Sequence, residues 1–178
     1  MSYTIDPYEL ELVEECLANN RSMQKSLYDR YKDAMYSTLC RMLNDEDDAA
    51  DALQEAFIQV FKNLKSYRKQ SSLGAWIKTI VVRAGLAKQK KKMVFEEIDE
   101  GKQVIEPIVW DSNLTGEYLE QAIHELPEGY KNVFLLVEVE GYTHKEAAEI
   151  VGISEGTSKS QLYHAKKALQ KTLSELMN

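Results

Sequence analysis

A chain of 178 residues with 44% apolar content is long enough for one ordinary domain or two small ones. Its formal charge of −7 excludes a uniformly basic nucleic-acid binder, so any DNA contact must be local or helped by a partner. Two cysteines at positions 16 and 40 read as buried thiols rather than a disulfide framework, and the longest apolar run, 133–137, is too short to span a membrane.

The opening MSYTIDPYELE is acidic without an apolar core, so no signal peptide is expected and the chain is read as cytoplasmic. Asp6-Pro7 makes a helix start, and Leu10, Val13 and Leu17 recur on one face behind it. Asn19-Asn20 breaks that pattern. Ser22 opens a longer helix with Leu27, Tyr31, Ala34, Thr38, Leu39 and Met42 as its apolar set. A third helix is predicted from about Glu46 to Lys65, with Ala50, Leu53, Phe57, Val60, Phe61 and Leu64 inward. Its other side presents Asp51, Gln54, Glu55, Ile58 and Lys62: a docking patch around Ile58, or a solvated face.

The polar loop 66–71 follows, and Ser71 or Ser72 caps a fourth helix whose inward residues are Leu73, Trp76, Ile77, Ile80, Val81 and Ala84. Gly74, Gly85 and the β-branched run 80–82 weaken this helix, but its period and helical neighbours favour it. It ends in Lys88, Lys90, Lys91 and Lys92, cations that suit a helix C-terminus; with Arg68, Lys69, Lys78 and Arg83 they form one basic region in an acidic chain. Residues 93–115 are acidic, contain Pro107 and lack a period; they read as a linker of about 20 residues with a reach of roughly 25 Å.

A second domain begins near Gly116. Leu119, Ala122, Ile123 and Leu126 mark one helix; Pro127 starts another, with Val133, Phe134, Leu136 and Val137 inside and Gly141 as its stop. Then comes GYTHKEAAEIVGISEGTSKSQLYHAKKALQK, which reads as a helix-turn-helix. Thr143 and Glu146 form a capping box, Gly152 supplies the tight turn, Ile153 plugs it, and Ser154 caps the second helix. Leu162, Ala165 and Leu169 line that helix's inner face. The other carries Lys159, Ser160, Tyr163, His164, Lys166 and Lys167, groups that can meet phosphates and base edges in a major groove.

Nothing points to catalysis. His124, His144 and His164 lack partners at zinc-ligand spacing, no glycine loop cradles a phosphate, and the aspartates at 47, 48 and 51 read as helix-start acids. No cofactor and no metal are expected.

In this order and spacing the segments resemble the extracytoplasmic-function sigma factors, the compact bacterial class that keeps only regions two and four. LYDRYKDAMYSTL (27–39) resembles the start of region two, DALQEAF (51–57) its core-polymerase-binding helix, SSLGAWIKTIVVRA (71–84) its promoter-melting segment, and 126–169 region four. The resemblance implies an all-α chain of two small helical domains on a flexible linker: 1–92 as region two, 93–115 as linker, 116–178 as a four-helix region four. It implies core RNA polymerase docking through Asp51, Gln54, Glu55 and Ile58. It implies minus-10 contacts by Arg68, Lys69, Gln70, Ser71, Lys78 and Arg83, with a base taken out of the stack as the strands part. It implies minus-35 binding by Lys159, Ser160, Tyr163, His164 and Lys167, the first four facing the bases and Lys167, with Lys166, meeting phosphates. An anti-sigma partner, no direct membrane insertion and a monomeric free chain complete the expectation.

The sequence departs from the family where a common Val is Ser158, where common arginines are Gln161 and His164, and where an Asn and an Asp are Arg83 and Ala87. Ser158 continues the buried stripe, where a hydroxyl forfeits roughly 1–2 kcal/mol unless it is bonded. Trp76 holds a family position, but its period assigns it to the core. The competing readings are a stand-alone helix-turn-helix regulator, which has no use for 51–57, and a sigma-like decoy that binds polymerase or an anti-sigma factor without opening DNA.

Overall fold

The computed structural model describes residues 6–93 and 116–176, and every regular element among them is helical. The chain divides into two units, Met1–Glu96 and Glu97–Asn178. Apart from Met93, the predicted linker lies outside the described residues, as do Met1 to Ile5 of the N-terminal stretch.

In the first unit, α1 spans Pro7–Leu17, α2 Arg21–Leu43, α3 Glu46–Asn63 and α4 Leu73–Met93, with a 3-10 turn at Leu64–Ser66. The starts of the first three are fixed by side-chain caps: Asp6 accepts from the Tyr8 N–H, Asn20 from Ser22 and Met23, and Asp45 from Asp48. Leu12, Leu27, Leu39, Phe57, Val60, Leu73, Ile77 and Val81 form the core. Tyr28 meets Phe57 edge to face at 4.8 Å.

Several inward assignments shift by one residue. In α1 the buried set is Glu9, Leu12, Val13 and Cys16, while Leu17 is exposed; in α2 Met35 replaces Ala34; in α3 Ala49 replaces Ala50. Val82 and Leu86 join the core of α4, where Ile80 and Ala84 are half-buried. The glycines of α4 have a packing reason. A Cβ on Gly74 would lie 3.0 Å from Tyr31 Cε1, and one on Gly85 would lie 3.0 Å from Leu39 Cδ2 and 3.1 Å from Met42 Cε. Eleven residues is three helical turns, so both bare positions face α2 and admit it closely.

At the entry to α4, the buried Glu9 carboxylate accepts the Leu73 N–H at 3.3 Å and the Tyr31 hydroxyl at 3.0 Å. Burial, with that bond to a carboxylate, pushes the Tyr31 phenol up to about 12.

In the second unit, α5 spans Gly116–His124, α6 Glu128–Phe134, α7 His144–Val151 and α8 Glu155–Leu176; α8 packs on the other three. After α6 the chain widens into a π turn at Leu135–Val139, with the Glu140 N–H donating to the Leu135 carbonyl. Both Leu135 and Leu136 of the apolar run 133–137 are buried in this turn. Lys131 on α6 is also buried, and desolvation pushes its ammonium pKa down.

The helix-turn-helix forms as the sequence predicts. Glu146 accepts from the Thr143 N–H at 2.8 Å, and Thr143 Oγ1 accepts from the Glu146 N–H at 3.2 Å. The bonds that its carboxylate accepts from the Thr143 N–H and, at 2.7 Å, from the Thr143 hydroxyl hold the Glu146 carboxyl below its usual range. Gly152 turns at φ +82°, and Ser154 Oγ accepts the Thr157 N–H at 3.0 Å. Ser158 is fully buried, as its place in the apolar stripe requires. Its hydroxyl is answered by a partner the sequence reading does not name: His144 Nδ1 of α7, at 2.9 Å.

Two outcomes are expected. Tyr31→Phe removes a bond worth about 1 kcal/mol near neutral pH. Because the folded phenol titrates near 12 and the free one near 10.0, wild type's advantage over this variant is full below pH 10 and is lost as pH rises towards 12. Urea unfolding of both proteins from pH 8 to 12 measures this. Ser158→Ala and His144→Ala are expected to couple by about 1 kcal/mol in a double-mutant cycle. Strictly additive effects would mean that the pair contributes nothing.

Candidate partner-docking and nucleic-acid surfaces

Three groups of sequence-predicted site residues can be located. The first lies on α3. Asp51, Gln54, Glu55 and Ile58 are all exposed, Ile58 by 53%. At intervals of three and four they form one continuous stripe, an apolar group among acids and an amide. A cation from α4 reaches this stripe: Lys88 Nζ lies 3.2 Å from Asp51 Oδ2 and 3.6 Å from Asp48 Oδ1, and the bond to Asp51 raises the lysine's pKa. Lys88 therefore does not belong to the basic region assigned to it, because the acids at the start of α3 hold it.

The second group surrounds the entry to α4. Arg68, Lys69, Gln70 and Ser71 are exposed, and Lys69 adopts a left-handed φ of +59°. The loop is closed from beneath by a residue the sequence reading missed. Tyr67 is buried, its hydroxyl donates to the Ser71 carbonyl at 2.6 Å, and its ring lies 5.5 Å from that of Trp76. Trp76 is half-buried and packs on the core, as its period requires. Ser72 rather than Ser71 caps α4, accepting the Ala75 N–H at 3.1 Å. Lys78 is half-buried and Arg83 exposed. Five residues on a helix turn through about 140°, so the two do not share a face. Arg83 lines up with Ala87, Lys90 and Lys91 at helical spacing.

The third group is on α8. Lys159, Ser160 and Tyr163 are exposed; His164 and Lys167 are half-buried. The side chains are ordered by one another. The His164 ring stacks on Tyr130 of α6 at 5.7 Å and 21°, and meets Tyr163 edge-on at 5.5 Å. Lys167 Nζ sits 4.5 Å over the Tyr163 ring. Two cations are paired within the unit: Lys159 with Glu155 at 2.7 Å and Lys166 with Glu138 at 2.7 Å. The bond from Lys159 holds the Glu155 carboxyl below its usual range. Lys166, assigned to a phosphate, is thus engaged by the π turn. Gln161, in place of a family arginine, lies against Gly129, and its buried Oε1 has no hydrogen-bond partner.

Among the described residues no three His, Cys, Asp or Glu side chains are grouped to hold a metal ion, and no helix is long and apolar enough to cross a membrane.

Comparison with known proteins accounts for this arrangement. The family model for Sigma-70 region 2 matches residues 27–92, and that for Sigma-70, region 4 matches residues 116–169. The chain is 28% identical over 165 residues to the ECF RNA polymerase sigma factor SigW of Bacillus subtilis, covering 84% of this chain and 88% of the relative. It is 26% identical to the ECF RNA polymerase sigma-E factor of Haemophilus influenzae, covering 93% and 95%. The fold is shared with the sigma factor RpoE from Bartonella quintana, solved in complex with the anti-sigma factor NepR. That likeness has a TM-score of 0.62 at 22% identity and covers 84% of this chain and 96% of RpoE. CnrH, solved with the cytosolic domain of CnrY, gives a TM-score of 0.56 at 20% identity over 95% and 96% of the two chains. With both conserved regions present in their proper order on an all-helical frame, the chain belongs to the extracytoplasmic-function sigma factors, a family of transcription regulators rather than enzymes.

Proposed function

We propose that this chain binds core RNA polymerase, directs it to particular promoters and helps to open the DNA for initiation. The observation that carries the reading is the exposed Asp51, Gln54, Glu55 and Ile58 stripe, borne by the same chain as a complete helix-turn-helix. A stand-alone DNA-binding regulator has no use for a half-exposed isoleucine on a separate helical unit. In this division of labour residues 1–92 dock on polymerase and grip the minus-10 element, 93–115 tether, and 116–178 read the minus-35 element. The loop 68–71, Lys78 and Arg83 serve the minus-10 strand. Lys159, Ser160, Tyr163 and His164 face the major groove, and Lys167 meets a phosphate at its edge. The α8 contacts are aromatic as much as cationic, which suits thymine methyls and base edges.

The acidic balance fits a protein that is weak on DNA alone. With Lys159 and Lys166 already paired to carboxylates, the net charge of −7 discourages binding until polymerase supplies the remaining affinity. RpoE was solved with an anti-sigma factor, so a similar protein is proposed as the inhibitor of this chain, which acts as a cytoplasmic monomer when released.

Run-off transcription with core polymerase on genomic DNA, with start sites mapped, tests the reading; no chain-dependent start site would overturn it. Ile58→Glu is expected to weaken association with core polymerase by about tenfold or more while leaving binding to minus-35 DNA unchanged. Lys167→Ala is expected to weaken the polymerase-bound chain on all promoters alike and to reduce the slope of log affinity against log salt by about one.

A further inference from the structure

Glu9 lies on α1, ahead of the segment 27–92 matched to region 2. We infer that it is a positioning residue for promoter opening: its carboxylate holds the minus-10 loop at the first turn of α4. This rests on the sigma-factor function proposed above. The first N–H groups of a helix have no partner within it. In α4 the Ala75 N–H goes to Ser72 Oγ, and the Leu73 N–H goes to Glu9 Oε2 at 3.3 Å, from a residue 64 positions earlier in the chain. Glu9 is only 7% exposed, and its other oxygen accepts the Tyr31 hydroxyl at 3.0 Å. Tyr31 is confined in turn, because its ring edge occupies the space that a Cβ on Gly74 would need. α1, α2 and α4 are thereby tied at one point.

That point is the downstream anchor of the loop, and the Tyr67 bond to the Ser71 carbonyl is the upstream one. Between them Arg68, Lys69, Gln70 and Ser71 stand exposed, with Lys69 in a left-handed conformation. Capture of an unstacked base needs a receiving surface already in shape, since ordering it on binding subtracts from the affinity. The chemistry favours a glutamate here. Its two oxygens answer two donors and its charge suits a helix N-terminus. Glutamine offers one acceptor and turns an NH2 towards the other donor.

The test compares wild type, Glu9→Gln and Tyr31→Phe as full chains. It measures affinity for core polymerase, the rate of promoter opening by permanganate reactivity of unpaired thymines, and trypsin cleavage after Arg68 and Lys69 in the free protein. Glu9→Gln is expected to bind polymerase as wild type does, to open the promoter about tenfold more slowly and to be cut faster at 68 and 69 alone; Tyr31→Phe moves the same way by a smaller factor. Wild-type opening and cleavage in Glu9→Gln overturn the inference. So does a parallel loss of polymerase affinity and opening while Tyr31→Phe behaves as wild type, because the role is then merely structural. If Glu9→Gln does not fold, Tyr31→Phe decides: slower opening at unchanged polymerase affinity upholds the inference, and unchanged opening overturns it. A wild-type chain that opens no promoter overturns the parent function instead, and the trypsin comparison still decides whether Glu9 holds the loop.

Discussion

The close seat of α4 on α2 sets the geometry of the first unit. Two glycines three turns apart remove the side chains that would hold the helices apart, and Tyr31, Leu39 and Met42 fill the space. The seat is fastened at both ends. Glu9 takes the first N–H of α4, and the buried Gln89 donates to the Met42 carbonyl at 2.9 Å in the last turn of α2. A helix held in this way cannot slide, so whatever extends from it is placed by it. Its N-terminus delivers the loop 66–72, and its last turns deliver Lys88 to the acids of α3. One packed interface thus positions both the surface proposed for DNA and the surface proposed for polymerase.

The second unit follows the same rule with other means. The angle between α7 and α8 comes from backbone geometry at Gly152 and from caps at Thr143 and Ser154, which leave little freedom to the turn. The Ser158 to His144 bond adds a directional contact inside an otherwise apolar seam. Apolar contacts tolerate small sliding, whereas a buried hydrogen bond does not. On the outer face, stacking of Tyr130 on His164 and of Lys167 over Tyr163 limits the rotamers of the groups proposed to meet bases.

Much of this was legible in the sequence because it depends on local signals. Caps at Asp6, Thr143 and Ser154, the Gly152 turn and the inward stripe of α8 need only neighbours three or four residues away. The α3 stripe was legible for the same reason, though its role came from the family resemblance. The failures have a common cause. In α1 the true buried set begins with a carboxylate, so a search for apolar recurrence settled on Leu10, Val13 and Leu17 and missed Glu9, Leu12 and Cys16. Glycine in α4 counted against a helix because propensity carries no information about a helix 40 residues earlier in the chain. The pairings of Lys88 and Lys166 are invisible for the same reason, since their carboxylate partners, on α3 and the π turn, are distant in sequence. Buried polar groups satisfied across the fold are the features that periodicity cannot see.

The π turn at Leu135–Val139 accommodates one residue more than an α-helical turn of the same height. It therefore acts as a phase adjuster: the chain leaves it rotated by roughly a further quarter turn relative to a regular helix, and Gly141, Thr143 and the whole helix-turn-helix inherit that rotation. Loss of a single residue there would let the helix close up regularly. α7 would then start on the wrong side of α6, with every helix and cap intact and the outer face proposed for DNA aimed elsewhere.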